Sequence, residues 1–256
     1  MALAMPMTLW TVAFSTLMWG ILILHMYPMS VNHCDINHDD LTERHTHRHK
    51  LLVCNVQGAG NREFLNILHE HLRLHQPSII GLVETHVSGR RAQEVCDKIG
   101  FTNCFRVEAQ GFQEGIWVLW NSHEIDAVVI KSHHQFVTME ITPPNRRSWI
   151  FTVVYESPQT HMREMLWQEL QSCAIGHRKP WLLAGDFNET LCLEERNHGS
   201  PDMIRRCTRF KHWVENNALI DLGFSGPRFT WSRGTIPETR KEARLDSALC
   251  NAEWRA

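Results

Sequence analysis

The sequence predicts an α/β fold in which two mixed β-sheets pack face to face and are flanked by helices, a four-layer α/β sandwich. Three observations carry this. Apolar runs of strand length at Leu51–Val56 and Ile79–Val83 are separated by one amphipathic helix, which implies a parallel pair joined by a right-handed crossover. Between Ile116 and Tyr155 four strand-like runs follow one another with no helix between them, the pattern of antiparallel pairing. Strand clusters with interspersed helices bury their apolar faces best as stacked sheets covered on the outside. The 256 residues, 43% apolar and 21% charged, suffice for the core of one ordinary domain.

The elements follow in order. Residues 1–34 contain no Asp, Glu, Lys or Arg, and the run Met7–Tyr27 has the roughly 20-residue length that spans a bilayer. No Lys or Arg precedes it and no small-residue cleavage site cleanly follows it, so a transmembrane helix, a signal peptide and unselected sequence all stay open. Asn188-Glu189-Thr190, a glycosylation acceptor if secreted, weighs against secretion. Residues 1–32 are therefore set apart as a hydrophobic segment and candidate transmembrane helix, and residues 33–50 as a His-rich linker. Its His33, His38, His45, His47 and His49 read as solvated rather than metal-binding, because nothing apolar fixes a coordination geometry. The globular domain spans residues 51–256.

Within it, Leu51–Val56 reads as a buried strand. Asn61–His75 carries Phe64, Leu65, Leu68 and Leu72 on one helical face and ends before Pro77. Ile79–Val83 is the second strand, and a helix over Arg90–Ile99 stops at Gly100, a C-cap. Strands are predicted over Ile116–Trp120, Ile125–Ile130, Gln135–Thr142 and Ser148–Tyr155, with Pro143-Pro144-Asn145-Arg146-Arg147 as a turn. A helix over His161–Ala174, a strand over Trp181–Gly185, a helix over Ile204–Asn216 and short strands at Arg228–Ser232 and Leu245–Leu249 complete the domain. No internal repeat occurs.

Twenty-six Lys plus Arg against 28 Asp plus Glu exclude nucleic-acid binding by bulk charge, so any polyanion site is local. The eight cysteines form no C-x-x-C pair and mostly lie in apolar runs. They read as reduced, mostly buried thiols, neither a disulfide framework nor a zinc site.

Chemistry is sought where apolar strands end in polar residues, because a buried strand has no structural need of them. Asn55 ends the first strand, Glu84 the second, Tyr155 a third, and Asp186 with Asn188 a fourth in Leu-Leu-Ala-Gly-Asp-Phe-Asn. Taken alone, Asn55 or Tyr155 reads more readily as a hydrogen-bonded core residue, Glu84 as a cap for the following loop, and Gly185-Asp186-Phe187-Asn188 also as an Asx-type turn. Brought to one sheet edge they make an oxygen-rich cluster suited to Mg²⁺ and metal-assisted attack on phosphate.

Six motifs in one order carry a more specific resemblance. They are Asn55-Val56-Gln57-Gly58, Val83-Glu84-Thr85-His86, Val154-Tyr155, Gly185-Asp186-Phe187-Asn188, Phe229-Thr230-Trp231 and Arg244-Leu245-Asp246. From about Leu51 onward the chain resembles the endonuclease/exonuclease/phosphatase superfamily, which includes apurinic-site endonucleases, DNase I and non-LTR retrotransposon endonuclease domains. Met165–Leu170, Glu194-Glu195-Arg196 and Leu222–Trp231 look like the plant LINE branch.

The resemblance implies a DNase I-like fold and an Mg²⁺-dependent DNA endonuclease, with Mn²⁺ as a substitute ion, acting on DNA as a monomer with no obligate protein partner. Glu84 would be the main metal ligand, with Asn55 beside it. Asp186 would orient and deprotonate the attacking water, and Asn188 and Tyr155 would hold the phosphate oxygens. Asp246 would orient a phosphate-binding histidine. That histidine lies, in the family, in a Ser-Asp-His motif on a further strand, and this chain stops ten residues after Asp246. The last strand is thus expected to be missing and activity impaired. Three buried large apolar side chains contribute roughly 5–9 kcal/mol at about 1.5–3 each, comparable to a domain's net stability of about 5–15 kcal/mol. Cys54 stands where the family usually has Trp, Gln57 where apurinic endonucleases have an acid, and Glu156 where Gly commonly follows Tyr, which sets a carboxylate near the phosphate site.

For DNA contact, residues 201–256 hold ten Lys or Arg against seven Asp or Glu. Arg205 and Arg206 could reach a backbone or form a solvated helix face, and Trp231 could pack on sugar or base or in the core. Two further function classes stay open: a phosphoesterase on other phosphate esters, and a non-catalytic retroelement relic or membrane-tethered binding protein. A nuclear or cytoplasmic location follows if residues 7–27 do not insert, and a membrane location if they do.

Overall fold

The structure, a computed structural model, describes residues 11–12, 21–25, 49–109, 115–144, 146–174 and 179–255. The His-rich linker apart from His49 and Lys50, and most of the amino-terminal apolar run, lie outside these residues.

The first sheet is built from β1 (Thr11–Val12), β2 (Ile21–His25), β3 (Lys50–Asn55), β4 (Ile79–Val83), β5 (Asn103–Val107) and β6 (Ile116–Trp120), in the order β1-β2-β3-β4-β6-β5. β3 and β4 run parallel, joined by α1 (Arg62–His75) as the crossover requires. Asn61 caps α1, its side chain accepting the Phe64 N–H at 2.7 Å. α2 (Gly89–Ile99) ends on Gly100 in the left-handed region, the C-cap the sequence predicts. β5 has no counterpart among the predicted strands.

The second sheet contains β7 (Asp126–His133), β8 (Phe136–Thr142), β9 (Trp149–Tyr155), β10 (Trp181–Asp186), β11 (Ile220–Asp221) and β14 (Asp246–Cys250), in the order β11-β14-β10-β9-β8-β7. β10 is parallel to β9 and antiparallel to β14. α3 (Thr160–Ala174) links β9 to β10, and α4 (Pro201–Asn216) starts from Ser200, which accepts the Met203 N–H. A small hairpin of β12 (Trp231–Arg233) and β13 (Lys241–Ala243) and a last turn of helix, α5 (Ala252–Arg255), complete the chain.

Alternation along the strands sorts the apolar residues into three layers. Leu51, Val53, Ile79, Val83, Val118, Met139, Phe151, Val153, Leu182 and Ala184 meet between the sheets. Leu52, Cys54, Ile80, Leu82 and Trp117 face Phe64 and Leu68 of α1 and Ala92 and Val95 of α2. Val154 and Leu183 pack with Leu166 and Leu170 of α3 and Phe210 and Trp213 of α4. The four-layer sandwich is therefore observed. The sheets approach closely at Gly81, where a Cβ would lie 2.8 Å from Val153 Cγ2.

The apolar run set apart as a candidate transmembrane helix supplies a strand. β2 pairs antiparallel with β3, from Ile21 opposite Cys54 to His25 opposite Lys50. Leu22 and Leu24 enter the inter-sheet core, and Ile21 and Ile23 lie under the helices. Four buried aliphatic side chains contribute roughly 6–12 kcal/mol, so β2 is a principal member of this sheet. Among the described residues no helix is long and apolar enough to cross a membrane. All seven described cysteines are free, and Cys54, Cys96, Cys207 and Cys250 are buried. Cys104 and Cys192 are exposed, because they sit on an edge strand and a loop rather than in a packed run.

Candidate active site

The parity that buries each strand also builds the site. Leu51 and Val53 point between the sheets, so position 55 of the same strand does too. Phe151 and Val153 lead in the same way to Tyr155, Leu182 and Ala184 to Asp186, and Cys250 and Ala248 to Asp246. At this end of the sandwich the final inward position of four strands is polar. Asp186 lies opposite Tyr155 on one side and Asp246 on the other, which sets three functional groups in a row across the second sheet.

Asn55 joins the sheets. Its Nδ2 donates to Glu84 Oε1 at 3.0 Å and to Asp186 Oδ2 at 2.8 Å, while its Oδ1 accepts the Gln57 N–H at 3.2 Å. Asp186 Oδ1 accepts the backbone N–H of Asn188 at 2.7 Å, and Asn188 Nδ2 donates to the Glu156 carbonyl at 2.6 Å. Glu84 follows β4 in a left-handed conformation (φ 53°), as do Gln57 (46°), His86 (54°) and Asn188 (48°). Such conformations cost about 1–3 kcal/mol each in non-glycine residues and persist where surrounding structure holds them, often at functional sites. Gly185, at φ 149°, is required for another reason: a Cβ there would fall 1.9 Å from the Val154 carbonyl oxygen.

The acids of the cluster oppose one another. Burial above all, then Asp246 and Glu84, push the Asp186 carboxyl well above its ordinary range, against hydrogen bonds from Asn188 and Asn55. Burial pushes Asp246 up to about 7, with Thr230 opposing and Glu84 adding to the rise. The cation that draws Asp246 down, Arg244, is committed to Glu195 at 2.5 Å and Asp221 at 2.6 Å. Crowded carboxylates are the donors a hard divalent cation takes; Asn55 turns its amide nitrogen to them and its oxygen to the Gln57 N–H, so it would have to turn its amide over to ligate a cation. Among the described residues no group of three His, Cys, Asp or Glu side chains encloses a metal unaided, so a cation held by Glu84 and Asn55 would complete its shell with water or substrate oxygens.

All six catalytic and metal-binding residues expected from the sequence thus meet at one edge: Asn55, Glu84, Tyr155, Asp186, Asn188 and Asp246. The three DNA-contact residues do not join them. Arg206 points inward, its Nε 2.8 Å from the buried Glu189, so it is not a free cation on a solvated face. Arg205 is exposed and pairs with Asp202 at 3.3 Å. Trp231 is half-buried in the β12–β13 hairpin. Glu156 also departs from expectation: its side chain is fully buried, and burial, opposed by Arg163 and Trp167, raises its carboxyl well above the ordinary value of 4.5. What it contributes to the site is a backbone carbonyl.

Two residues inside the quoted motifs carry more than the sequence reading gave them. Thr230 Oγ1 accepts the N–H groups of Leu245 and Asp246 at 3.0 and 3.1 Å and so places the Asp246 strand, a role the neighbouring Trp231 obscured. His86 sets Nε2 3.8 Å from Glu84 Oε2, with its side chain 30% exposed.

The sequence matches the Endonuclease/Exonuclease/phosphatase family over residues 52–256. No curated protein matches it. Among solved structures it is similar to the endonuclease domain of TRAS1, a telomere-specific non-LTR retrotransposon, at 15% identity and TM-score 0.61, covering 80% of this chain and 86% of that one. The 3'-5' exonuclease NExo from Neisseria meningitidis (16% identity, TM-score 0.56, 77% and 84% covered) has the same fold. So does the AP endonuclease LMAP from Leishmania major (14%, 0.55, 78% of each).

Proposed function

We propose a function from this premise: the chain belongs to the Endonuclease/Exonuclease/phosphatase family, and its cleft is that of a divalent-metal-dependent DNA endonuclease domain from a retrotransposon, of the plant LINE type. The observation that carries the reading is the Asn55 bridge between Glu84 and Asp186, which ties a metal-suited carboxylate on one sheet to a water-activating carboxylate on the other.

Glu84, with Asn55 beside it, is the site for Mg²⁺ or Mn²⁺, which when bound would offset the charge gathering on a phosphate under attack. Asp186 is built to act as a base. It would take a proton from an attacking water, and the Asn188 N–H and Asn55 amide fix its orientation. Tyr155, at one end of the Asp186 row, and Asn188, whose N–H holds Asp186, would hold non-bridging phosphate oxygens as charge develops. The product is a nick that leaves a 3′ hydroxyl. Arg205 and Trp231 would meet the DNA outside the cleft. Asp246 keeps its place beside Asp186, but the chain carries no Ser-Asp-His sequence to supply the histidine it would orient, so turnover by these 256 residues is proposed to be weak.

Incubation with supercoiled plasmid and Mg²⁺ tests this. Slow nicking that EDTA abolishes and Glu84→Ala removes, and that rises when a Ser-Asp-His strand from a relative is appended, is the expected result. Hydrolysis of small phosphate esters in preference to plasmid would overturn it.

A further inference from the structure

Immediately behind Asn188 lies a second charged cluster. Glu189 is fully buried, and its carboxylate receives three guanidiniums. Arg163 Nη1 (2.7 Å) and Arg206 Nε (2.8 Å) donate to Oε2, and Arg196 Nη2 (2.8 Å) donates to Oε1. Arg163 belongs to α3, Arg206 to α4, and Arg196 to the segment after the short 3-10 turn Leu193–Glu195. Arg163 and Arg196 are themselves buried. Desolvating two guanidiniums and a carboxylate is costly, and such a group is weak grounds for stability by itself, so its geometry is the more telling feature.

The rest of the Arg163 fork turns to the neighbouring loop. Nε donates to the Ser157 carbonyl at 2.9 Å and Nη2 to the Pro158 carbonyl at 2.6 Å. Ser157 and Pro158 follow Tyr155 by two and three residues, and Glu189 follows Asn188 by one. The Asn188 amide returns to the Glu156 carbonyl at 2.6 Å. A closed ring therefore runs from Glu156 through Ser157, Pro158, Arg163, Glu189 and Asn188 back to Glu156, with Tyr155 joined to it through the chain. One planar fork spans two loops, a task a lysine ammonium cannot reproduce.

We propose that Glu189 and Arg163 are positioning residues that hold Tyr155 and Asn188 at a fixed separation. This rests on the function above, in which that pair grips the phosphate. Neither Glu189 nor Arg163 touches the reacting atoms.

Amide hydrogen exchange of the full chain, read alongside plasmid nicking, tests it. In Arg163→Lys, exchange is expected to quicken at least roughly tenfold in segments 156–160 and 186–191 together and to stay unchanged in α1, while nicking kcat falls roughly 10–100-fold at a nearly unchanged KM for plasmid. Acceleration in only one segment, in neither, or a loss expressed mainly in KM would overturn the proposal. If Arg163→Lys does not melt cooperatively, Glu189→Asp, which keeps the charge and shortens its reach, is read by the same criteria. Failure of both to fold would make the cluster a folding element and likewise overturn it. A chain completed with a relative's Ser-Asp-His strand that still never nicks plasmid in Mg²⁺ would sink the nuclease reading, while the exchange comparison would still decide the ring.

Discussion

Two charged clusters meet at Asn188, and they are built on opposite rules. On one side Glu84, Asp186 and Asp246 crowd together with too little positive charge, so burial and mutual repulsion raise the proton affinity of the two aspartates. On the other, a single carboxylate, Glu189, is surrounded by three guanidiniums. The first arrangement leaves carboxylates short of positive charge and suits a ligand that brings it. The second is saturated from within and suits a scaffold. Proximity in the sequence is therefore no guide to role: the residue next to Asn188 belongs to the scaffold, whereas Asn55, 133 positions earlier, belongs to the chemistry.

The sharpest way to break this contrast is at the base. Asp186→Asn is expected to lower the nicking rate by roughly 10²–10⁴-fold, measured as nicked plasmid over time, and a variant that keeps near wild-type rate would move the water-activating role elsewhere. Next in size, Glu189→Ala leaves buried guanidiniums uncompensated and is expected to cost about 3–5 kcal/mol in a urea unfolding curve. A loss below about 1 kcal/mol would show that the cluster is not saturated in the sense drawn here. The smallest effect should have the opposite sign. With a folded-state value of about 7 against an ordinary 3.8, Asp246 stays protonated in the native chain while the unfolded chain ionises. Stability is then lost as pH rises from about 4 to about 7, and Asp246→Asn, which cannot ionise, is expected to gain roughly 1–3 kcal/mol at pH 8 relative to pH 5. Equal stability of variant and wild type at both pH values would show that Asp246 is not strained.

Much of this was written plainly in the chain. The polar ends of β3, β4, β9 and β10 are legible because these strands are continuous apolar runs, so Asn55, Glu84, Tyr155 and Asp186 stand out where the runs stop, whereas Asp246 is marked only by the family resemblance. The scaffold cluster was hidden because Arg163, Arg196 and Arg206 come from three elements, and each alone looks like a solvated helix or loop cation. β5 escaped because Asn103-Cys104-Phe105-Arg106-Val107 is an edge strand with no residue fully buried, and an edge strand shows little periodicity. β2 escaped for the reverse reason: a run long enough for a bilayer carries no sign that five of its residues will form a strand.

That strand makes closure of the first sheet depend on the amino-terminal run. Leu22 and Leu24 lie between the sheets and Ile21 and Ile23 beneath the helices, so all four are committed to the folded domain. Their docking partner β3 begins 25 residues after β2 ends, so during synthesis the two strands can pair soon after β3 emerges. A chain without residues 21–25 would bare the backbone edge of β3 and both apolar faces that these side chains cover.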